Sequence, residues 1–457
     1  MKPKQQLLQS LTAHVEKHAP SAFWVAYSGG LDSTVLLYLA QQVADHFPGV
    51  ALKAVHVHHG LLAEADSWVT HCQVFCDRLA IPLSVCHVDA RPEKGQSPEA
   101  AARDARYTAL RGLMASGDTV LLAHHQEDQA ETVLLQLLRG AGPRGLSGMA
   151  EESVLGEGFK LRPLLGCSRA QLLAIAEQYA LSWIEDPSNV STDFDRNFLR
   201  QSLIPQLRQR WPGLSKSLSR SAALCGEADQ LIELMAMQDL NTVLVSNTEN
   251  KSVPPFETTG LYIPALLTLP IERRHNVLRR WCRLKDLPLP ALVHLQGIDN
   301  TVLAAREDAQ PLLQWPGAEA RRYQQRLFLA RPLSTPQTLD QSWDLARPLN
   351  LGDGRYLVAQ PASGRGLARE FVLSAPLRVS FREGGEQIQP QGDSHTRTLH
   401  KLFQRAGVPP WERDRIPLLW QGKQLLAVVG YWLAAACVAG DGEPGVQFVV
   451  TESNSET

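Results

Sequence analysis

The chain has 457 residues, of which 44% are hydrophobic and 20% are charged, and its formal net charge is −2. This length suggests about three domains, and the near-neutral charge excludes a protein that attracts nucleic acid over its whole surface. The longest apolar stretch, residues 425–440, is too short to span a bilayer. Seven scattered cysteines without a C-x-x-C pair, and a polar N-terminus, predict a cytoplasmic protein with reduced thiols and no membrane partner.

The first predicted elements are a buried strand at residues 23–27 and a helix that includes residues 35–44. Between them lies Ser-Gly-Gly-Leu-Asp-Ser-Thr at residues 28–34. The glycine pair allows the backbone to approach a ligand closely, and the opening N–H groups of the helix favour an anion. We therefore predict a phosphate-binding loop formed by Ser28, Gly29, Gly30, Leu31, Asp32 and Ser33. The alternative is an ordinary strand-to-helix turn capped by Ser or Asp.

The loop matches neither the Walker motif nor the dinucleotide fingerprint. If it holds the β- and γ-phosphates of ATP, the α-phosphorus faces a nucleophile and an adenylate is the product. The carboxylate of Asp32 would repel phosphate oxygens at that range. A Mg²⁺ ion between them removes the conflict, since this cation prefers carboxylate and phosphate oxygens.

Strands and helices alternate from residue 23 to about residue 165, which predicts βαβ units and a parallel sheet. The predicted strands are residues 50–57, 83–88 and 119–123, and the predicted helices are residues 67–79, 98–114 and 127–138. Ligands of such sheets bind beyond the carboxyl ends of the strands. This rule brings together residues 28–34, residues 56–60, the surroundings of Arg103 and residues 124–131.

Three groups of side chains on this rim have two interpretations each. The histidines at positions 56, 58 and 59 are nucleotide contacts or a solvated turn. Arg103 and Arg106 share a helix face and form an anion clamp, or they are ordinary surface arginines. Asp128 and Glu131 lie three residues apart on a helix, so both carboxylates project from one face. They bind cations, namely Mg²⁺ and a substrate amine, or they form a solvated acidic face.

The rest of the chain carries several basic segments. A glycine-rich loop contains Arg139 and Arg144, and Ser168 caps a helix that extends to about residue 179. The pattern becomes helical from residue 211, with arginine-rich stretches at residues 271–285 and 319–326 that are solvated faces or RNA contacts. Residues 331–350 are predicted to be a linker. Residues 364–423 of the last domain contain ten basic and six acidic residues, and Arg397 and Lys401 lie four apart on a predicted helix.

The loop at residues 28–33 resembles that of the ATP-pyrophosphatase (PP-loop) superfamily, and a series of motifs resembles the bacterial tRNA(Ile)-lysidine synthetase family. The matching stretches are residues 28–33, 56–60, 99–107, 124–132, 139–145, 185–189 and 196–200. One departure is Glu127, where the family commonly has Asp. The resemblance implies an α/β fold with a parallel-sheet PP-loop domain at residues 1–212, a helical middle domain at 213–330, a linker at 331–350 and an α+β C-terminal tRNA-binding domain at 351–457.

The same resemblance implies a ligase that uses ATP and Mg²⁺ to adenylate C2 of the wobble cytidine of a CAU-anticodon isoleucine tRNA. The ε-amine of free lysine then displaces AMP. The implied catalytic residues are Asp32, Arg103, Asp128 and Glu131, with Asp32 and Asp128 as metal ligands. The implied nucleotide contacts outside the loop are His58, Arg106 and Arg196, and the implied tRNA contacts are Arg139, Arg144, Arg397, Lys401 and Arg405.

Two rival functions remain open at this stage. A PP-loop tRNA thiolase that carries an iron–sulfur cluster or relays sulfur needs paired cysteines. A non-catalytic tRNA-binding or nucleotide-sensing protein needs the loop but not Asp128 and Glu131. The general base, the path of the tRNA and the oligomeric state, including a homodimer, are also left open.

Overall fold

The computed structural model describes residues 2–58, 60, 65–92, 98–185, 195–245, 259–306, 309–333 and 339–451. The chain forms two compact units, Met1–Leu231 and Ile232–Thr457. Sequence predictions at His59, at residues 186–189 and at residues 452–457 lie outside the described residues. Within the described part, no helix is both long enough and apolar enough to cross a membrane.

The described residues of the first unit form six strands and most of the long helices. Its strands are β1 (Ala22–Ala26), β2 (Ala51–His58), β3 (Leu83–His87), β4 (Thr119–Leu121), β5 (Glu152–Leu155) and β6 (Gly158–Leu161). Its helices are α1 (Pro3–His18), α2 (Leu31–Val43), α3 (Ala65–Arg78), α4 (Pro98–Leu113), α5 (Gln126–Leu138), α6 (Pro143–Leu146), α7 (Arg169–Gln178), α8 (Asp195–Phe198) and α9 (Ile204–Arg210). A 3-10 turn at Ala44–His46 and a π-helical segment at Leu199–Leu203 complete it, and the boundary with the second unit falls within α10 (Leu214–Val243).

The six strands form one sheet in the order β3-β2-β1-β4-β6-β5. The first five are parallel, and β5 pairs antiparallel with β6. The prediction of a parallel sheet is confirmed, with strand ends within two residues of those expected. The strand order reverses between β1 and β4, and ligands of such sheets bind in the crevice beyond the carboxyl ends at this point. The loops that follow β1 and β4 therefore define the candidate site.

Both faces of this sheet are covered, which explains the continuous apolar sequence of β1. Residues 22–25 are all buried. Leu7 and Leu11 of α1 pack on one face together with Leu36 of α2. Tyr107 and Leu110 of α4 pack on the other face. The β1–α2 loop thus emerges from a fully packed strand, which holds it rigidly.

Polar contacts join α1 to the β5–β6 hairpin. Lys17 donates to Glu152 Oε1 (2.7 Å), and the ring nitrogens of His14 and His18 lie 2.7 and 2.9 Å from the two oxygens of Glu152. Although burial alone would raise it, hydrogen bonds from Lys17, His14 and His18 lower the pKa of Glu152 to about 2. The sequence patterns did not predict this hairpin, because its strands are short and lie at the edge of the sheet.

The second unit contains further helices and three small sheets together with a two-stranded ribbon. Its helices are α11 (Ile263–Thr268), α12 (Ile271–Leu284), α13 (Leu292–Gly297), α14 (Arg369–Leu373), α15 (Leu399–Arg405) and α16 (Pro410–Arg413), with a π-helical segment at Ile298–Leu303 and a 3-10 turn at Ala435–Cys437. Its first strands are β7 (Leu244–Val245), β8 (Gly260–Tyr262), β9 (Leu312–Trp315), β10 (Ala318–Tyr323) and β11 (Arg326–Ala330). The later strands are β12 (Asp340–Trp343), β13 (Leu349–Asn350), β14 (Tyr356–Ser363), β15 (Leu367–Ala368), β16 (Leu377–Ser380), β17 (Gln387–Ile388), β18 (Arg397–Thr398), β19 (Leu418–Gln421), β20 (Gln424–Val428), β21 (Trp432–Leu433) and β22 (Pro444–Thr451).

The helical interpretation of residues 319–326 is wrong. This stretch forms the β10–β11 hairpin, and the middle segment combines helices with a sheet ordered β7-β8-β11-β10-β9. Gln324 adopts a positive φ of 53° at the turn. Glu319 is buried beside Arg321, and the buried Arg322 donates to the carbonyl oxygens of Leu303 and Ala305. These arginines therefore serve the core of the hairpin, which a charge pattern alone does not reveal.

Four of the five arginines of α12 form ion pairs with acidic side chains among the described residues. Arg273 pairs with Asp239, Arg274 donates to Asp299 (2.7 Å), and Arg280 donates to Glu233 (3.1 Å). Arg283 also pairs with Glu233. The ion pairs join α12 to α10 and to the π-helical segment, so their main effect is on the packing of helices.

The C-terminal part has the predicted mixture of strands and short helices. Two sheets, β12-β16-β19-β20-β21 and β13-β14-β22-β15, share a core that includes Phe403 of α15 and Leu418. The predicted linker at residues 331–350 is wrong in part, because β12 lies within it and pairs with β16. The sequence around β12 is polar and contains prolines, which is typical of a linker, so this edge strand was not predicted.

Candidate active site

Hydroxyl groups within the loop itself hold the β1–α2 turn in shape. Ser28 Oγ and Ser33 Oγ are 3.0 Å apart, and Ser33 Oγ donates to the carbonyl oxygen of Gly30 (3.0 Å). Thr34 Oγ1 donates to the carbonyl oxygen of Gly29 (3.3 Å). Gly30 is the N-cap of α2 and provides no side-chain cap. The first N–H groups of α2 therefore remain for an anion.

Gly29 is required by both its conformation and its surroundings. Its φ is 85°, and a Cβ placed on it would lie 2.9 Å from Ile184 Cδ1 and 3.1 Å from Cys72 Sγ. Ile184 N–H also donates to the carbonyl oxygen of Gly29 (2.9 Å). His56 donates from Nδ1 to the carbonyl oxygen of Tyr27 (3.0 Å) and is buried. His56 thus fixes the backbone of Tyr27, the residue just before the loop.

Asp32 and Asp128 meet around the imidazole of His125. His125 Nε2 lies 3.6 Å from Asp32 Oδ2 and 3.4 Å from Asp128 Oδ2, and its Nδ1 lies 3.1 Å from Glu127 Oε2. Although burial opposes the charged form, the Asp32 and Glu127 carboxylates raise the pKa of His125 to about 10. Its imidazolium therefore neutralises part of this acidic cluster. His125 is also the N-cap of α5, and its N–H donates to Asp128 Oδ2 (3.0 Å).

Glu127 contacts two other helices, α7 and α9, as well as His125. Burial would raise its pKa, but hydrogen bonds from His125 and from the N–H of Arg169 lower it to about 2. Its Oε1 accepts from Arg208 Nη2 (3.1 Å), and its Oε2 accepts from the N–H of Arg169 (2.9 Å). The longer side chain thus ties α5 to α7 and α9.

Glu131 is almost completely buried and is held by Arg200. Arg200 donates to both oxygens of Glu131 (2.7 and 2.8 Å) and to Asp128 Oδ1 (2.9 Å). Arg196 Nη2 donates to Thr132 Oγ1 (3.0 Å), and its Nε lies 3.6 Å from Glu131. Burial raises the pKa of Glu131 despite the opposing effect of Arg200. Asp128 and Glu131 therefore do share one helix face, but Arg200 already occupies it.

A second basic group surrounds Tyr107. The guanidinium of Arg103 lies 5.1 Å from the centre of the Tyr107 ring, and the ammonium of Lys160 lies 4.9 Å from it. Arg162 is buried and donates to His124 Nδ1 (3.2 Å), and burial lowers the pKa of His124. His124 is thus a neutral acceptor. Among the side chains that the structure describes, Arg103 forms no ion pair, so its charge remains available to an anion.

The other predicted residues lie around this centre or in the second unit. Arg106 is exposed on α4, and His58 at the end of β2 stacks near His87 with ring centres 4.7 Å apart. Arg139 and Arg144 are exposed after α5 and lie 3.8 and 3.9 Å from Asp195 and Asp229.

The predicted helix that would carry both Arg397 and Lys401 is wrong. Arg397 lies on β18 and donates to Asp393 (3.1 Å), whereas Lys401 and Arg405 are exposed on α15. The short β17–β18 pairing interrupts the helical spacing.

Sequence reasoning gave no role to His125, Arg162, Arg200 or Arg208. A signal did exist for Arg200, because Arg196 and Arg200 are four residues apart and complement the i, i+3 carboxylates of α5. No comparable spacing indicates Arg162, which directly follows β6, or Arg208, which lies on α9.

The donor set around Asp32 fits a magnesium ion. Asp32 Oδ1 is buried and has no hydrogen-bond partner among the described residues. Asp128 supplies a second carboxylate, which lies 3.4 Å from the same His125 Nε2. Carboxylate oxygens are ligands that Mg²⁺ prefers in proteins.

Comparison with known families divides the chain into three matched segments. A PP-loop domain family matches residues 3–207, a TilS substrate binding domain matches residues 261–328, and a TilS substrate C-terminal domain matches residues 377–450.

Relatives match over nearly the full length. A tRNA(Ile)-lysidine synthase of Serratia proteamaculans is 42% identical, over 96% of this chain and 96% of the relative. The corresponding protein of Coxiella burnetii is 41% identical, over 90% of this chain and 89% of the relative. That of Alkalilimnicola ehrlichii is 41% identical, over 97% of both chains. With the parallel sheet and its loop in place, these matches show that the chain belongs to the tRNA(Ile)-lysidine synthase family.

Proposed function

We propose that the chain is a carbon–nitrogen ligase that converts the wobble cytidine of a CAU-anticodon isoleucine tRNA to lysidine. One observation, made in a chain of this family, carries the proposal. At the point where the strand order reverses, the β1–α2 loop lies beside the carboxylates of Asp32 and Asp128. The reaction consumes ATP and free lysine and releases pyrophosphate and AMP.

In the first step the β1–α2 loop holds the β- and γ-phosphates of ATP. The N–H groups at the start of α2 are the donors, and the hydroxyls of Ser28 and Ser33 add two more when they turn away from each other and from the carbonyl oxygen of Gly30. The cytidine O2 attacks the α-phosphorus and pyrophosphate leaves. Arg103 is suited to neutralise the charge on the α-phosphate, because it is exposed and forms no ion pair with the described side chains. His58, Arg106 and Arg196 are proposed as further nucleotide contacts.

In the second step the lysine ε-amine attacks C2 and AMP leaves. The amine must lose a proton before it attacks, and a carboxylate can both orient it and accept that proton. Both oxygens of Glu131 accept from Arg200, so we assign Glu131 to holding that guanidinium against Asp128. This leaves Asp32 and Asp128 as the partly exposed carboxylates of the crevice.

We propose Asp32 and Asp128 as the residues that hold Mg²⁺. When bound, this ion supplies positive charge that offsets the repulsion between the carboxylates and the phosphates. The unpartnered Oδ1 of Asp32 supports the assignment.

The proposed tRNA contacts are exposed cations on both units: Arg139, Arg144, Arg397, Lys401 and Arg405. Arg397 is expected to contribute least, because Asp393 already neutralises it in part.

The thiolase alternative has no support in the cysteines. All seven are free, and burial raises the pKa of Cys72 and of Cys76 to about 12. Buried thiols with such pKa values are poor nucleophiles. A non-catalytic protein would not need the cluster of carboxylates around His125, so this alternative does not explain the cluster.

The test is incorporation of labelled lysine into an isoleucine tRNA transcript with a CAU anticodon, in the presence of ATP and MgCl₂. A transcript with uridine at the wobble position is the matched control. We expect lysine in the first transcript only, with one AMP released per lysine. ATP-dependent binding of tRNA without lysine incorporation would contradict the proposal.

The Asp32→Asn variant tests the metal assignment. We expect lysine incorporation to fall by at least about 100-fold, a loss of roughly 2.7 kcal/mol in transition-state stabilisation. The variant should stay folded with only a modest fall in melting temperature, because Asp32 is 30% exposed and packs little core but loses its ion pair with His125. Near-normal activity of the folded variant would show that Asp32 holds no catalytic metal.

A further inference from the structure

A second cluster of metal-ligating side chains lies outside the active site. His14 and His18 are four residues apart on α1, so both rings project from one face of the helix. Glu152 of β5 faces them across the contact between α1 and the sheet. The ligand atoms of the three side chains all lie within 4.8 Å of one another. Within the described part of the chain, this is the one group of three or more such residues that meets that spacing.

The donor types define the class of ion. Two imidazole nitrogens and a carboxylate form the His₂Glu set that binds zinc in proteins. Imidazole ligands disfavour Mg²⁺ and Ca²⁺, which prefer oxygen. We propose that His14, His18 and Glu152 form a Zn²⁺ site that joins α1 to the β5–β6 hairpin.

The surroundings of His14 are suited to a ligand. His14 Nδ1 faces Glu152 Oε2 at 2.7 Å, and its Nε2 lies 2.8 Å from Thr119 Oγ1. A metal-bound histidine donates its other N–H to a second group, which fixes the ring and its tautomer. The Thr119 hydroxyl can accept that hydrogen bond. The ring of Phe159 packs on both histidines, with ring centres 5.5 Å from His14 and 3.9 Å from His18.

The site is closed on one side and open on the other. The side chain of His14 is only 1% exposed, whereas those of His18 and Glu152 are 16% and 27% exposed. An ion can therefore enter from solvent and displace the hydrogen-bonded contacts to Glu152. Lys17 Nζ donates to Glu152 Oε1 (2.7 Å) and competes with a cation, but this side chain is 65% exposed and can turn away.

The site lies apart from the residues of the proposed reaction. Thr119 begins β4 at its amino end, while the loop that carries His125 follows the carboxyl end of the same strand. The expected effect is to fasten α1, which contributes Leu7 and Leu11 to the core, against the edge of the sheet.

The experiment uses the full chain after removal of metal with a chelator. Titration with ZnCl₂ in competition with a chromophoric chelator should show one tight site per chain, and the melting temperature should rise with zinc concentration. Co²⁺ should give the intense visible absorption of a four-coordinate complex. His18→Gln and Glu152→Gln should abolish the tight site.

Three further variants separate a built site from adventitious binding. Thr119→Val should weaken zinc binding by about 10–100-fold, as expected when the partner of a ligating histidine is lost. Lys17→Met should bind zinc more tightly than the unmodified chain. His46→Gln, which changes an exposed histidine outside the cluster, should leave binding unchanged. Equal affinity in the unmodified chain and in folded His18→Gln, or weaker binding by Lys17→Met, would overturn the proposal.

Discussion

At the scale of single residues, Arg200 links two carboxylates of the site. It donates to both oxygens of the buried Glu131 and to Asp128. A buried carboxylate without its partner is costly, typically about 3–5 kcal/mol. Arg200 therefore contributes to folding through Glu131 and to the shape of the crevice through Asp128.

Arg200→Ala should lower the free energy of unfolding of the first unit by about 1–3 kcal/mol, because Arg200 is 41% exposed and Arg196 still faces Glu131. Adding Glu131→Gln removes the buried negative charge that has lost the Arg200 guanidinium, so the double variant should recover most of that stability. It should not recover lysine incorporation, because Asp128 still lacks its guanidinium partner. Urea denaturation and the incorporation assay measure the two effects separately.

Arg139→Ala is the matched control for this series. Arg139 is exposed, and its contact with Asp195 at 3.8 Å is a surface ion pair worth at most about 1 kcal/mol. The free energy of unfolding of Arg139→Ala should be nearly unchanged.

If the double variant Arg200→Ala, Glu131→Gln is as unstable as Arg200→Ala alone, the charge of Glu131 is not the cause of the instability.

At the scale of elements, a turn in the C-terminal part depends on one carboxylate. Asp353, between β13 and β14, accepts from Arg355 Nη2 and from Arg415 Nη2, each at 2.7 Å. Its side chain is only 7% exposed. Burial would raise its pKa, but hydrogen bonds from Arg355 and the charges of Arg355 and Arg415 lower it. The turn thereby fastens β14 to the segment that leads into β19.

Asp353→Asn should destabilise the second unit by about 3–5 kcal/mol at pH 7. Because the folded state lowers the pKa of Asp353, its contribution is complete above the unfolded pKa of about 3.9 and is lost as the pH falls through the folded value. The difference between the variant and the unmodified chain should therefore be equal at pH 7 and pH 5 and smaller near pH 3. Urea midpoints at the three pH values measure it, and a difference independent of pH would contradict the assignment.

At the scale of the whole molecule, the chain is close to neutral, but its C-terminal part carries an excess of basic residues. Of the basic residues between positions 364 and 423, Arg413 and Arg415 are buried, and Arg378 and Arg382 pair with acids. Lys401 and Arg405 of α15 remain exposed. Deletion of residues 351–457 is a poor test of tRNA binding. Trp411 packs on Tyr323 and Phe328 of the β10–β11 hairpin, and the deletion would expose both rings.

Charge variants on α15 test tRNA binding without this complication. Lys401→Ala with Arg405→Ala should weaken tRNA binding and reduce the slope of log K against log salt by roughly 1.4–1.8, since each lost phosphate contact removes about 0.7–0.9. ATP binding should be unchanged. Lys401→Arg with Arg405→Lys keeps both charges and should keep the slope. An unchanged slope in the alanine variant would mean that α15 does not contact tRNA.

The local sequence was sufficient for the β1–α2 loop and for the elements on either side of it. The apolar run of β1, the glycine pair and the helical spacing of α2 act over a few residues, so their structure could be predicted from the sequence. The same holds for α7, which begins after the predicted cap Ser168. The spacing of Asp128 and Glu131 also placed both carboxylates on one face, because helix geometry alone determines it.

Tertiary packing decided which charges are free and which are paired. Arg200 and Glu131 are 69 residues apart in sequence, and no local pattern states that one neutralises the other. The same is true of Arg274 with Asp299 on the π-helical segment and of Arg415 with Asp353. The short edge strands β5 and β12 likewise depend on partners elsewhere in the chain. Local spacing determines on which face of an element a side chain lies, whereas the fold determines what that face meets.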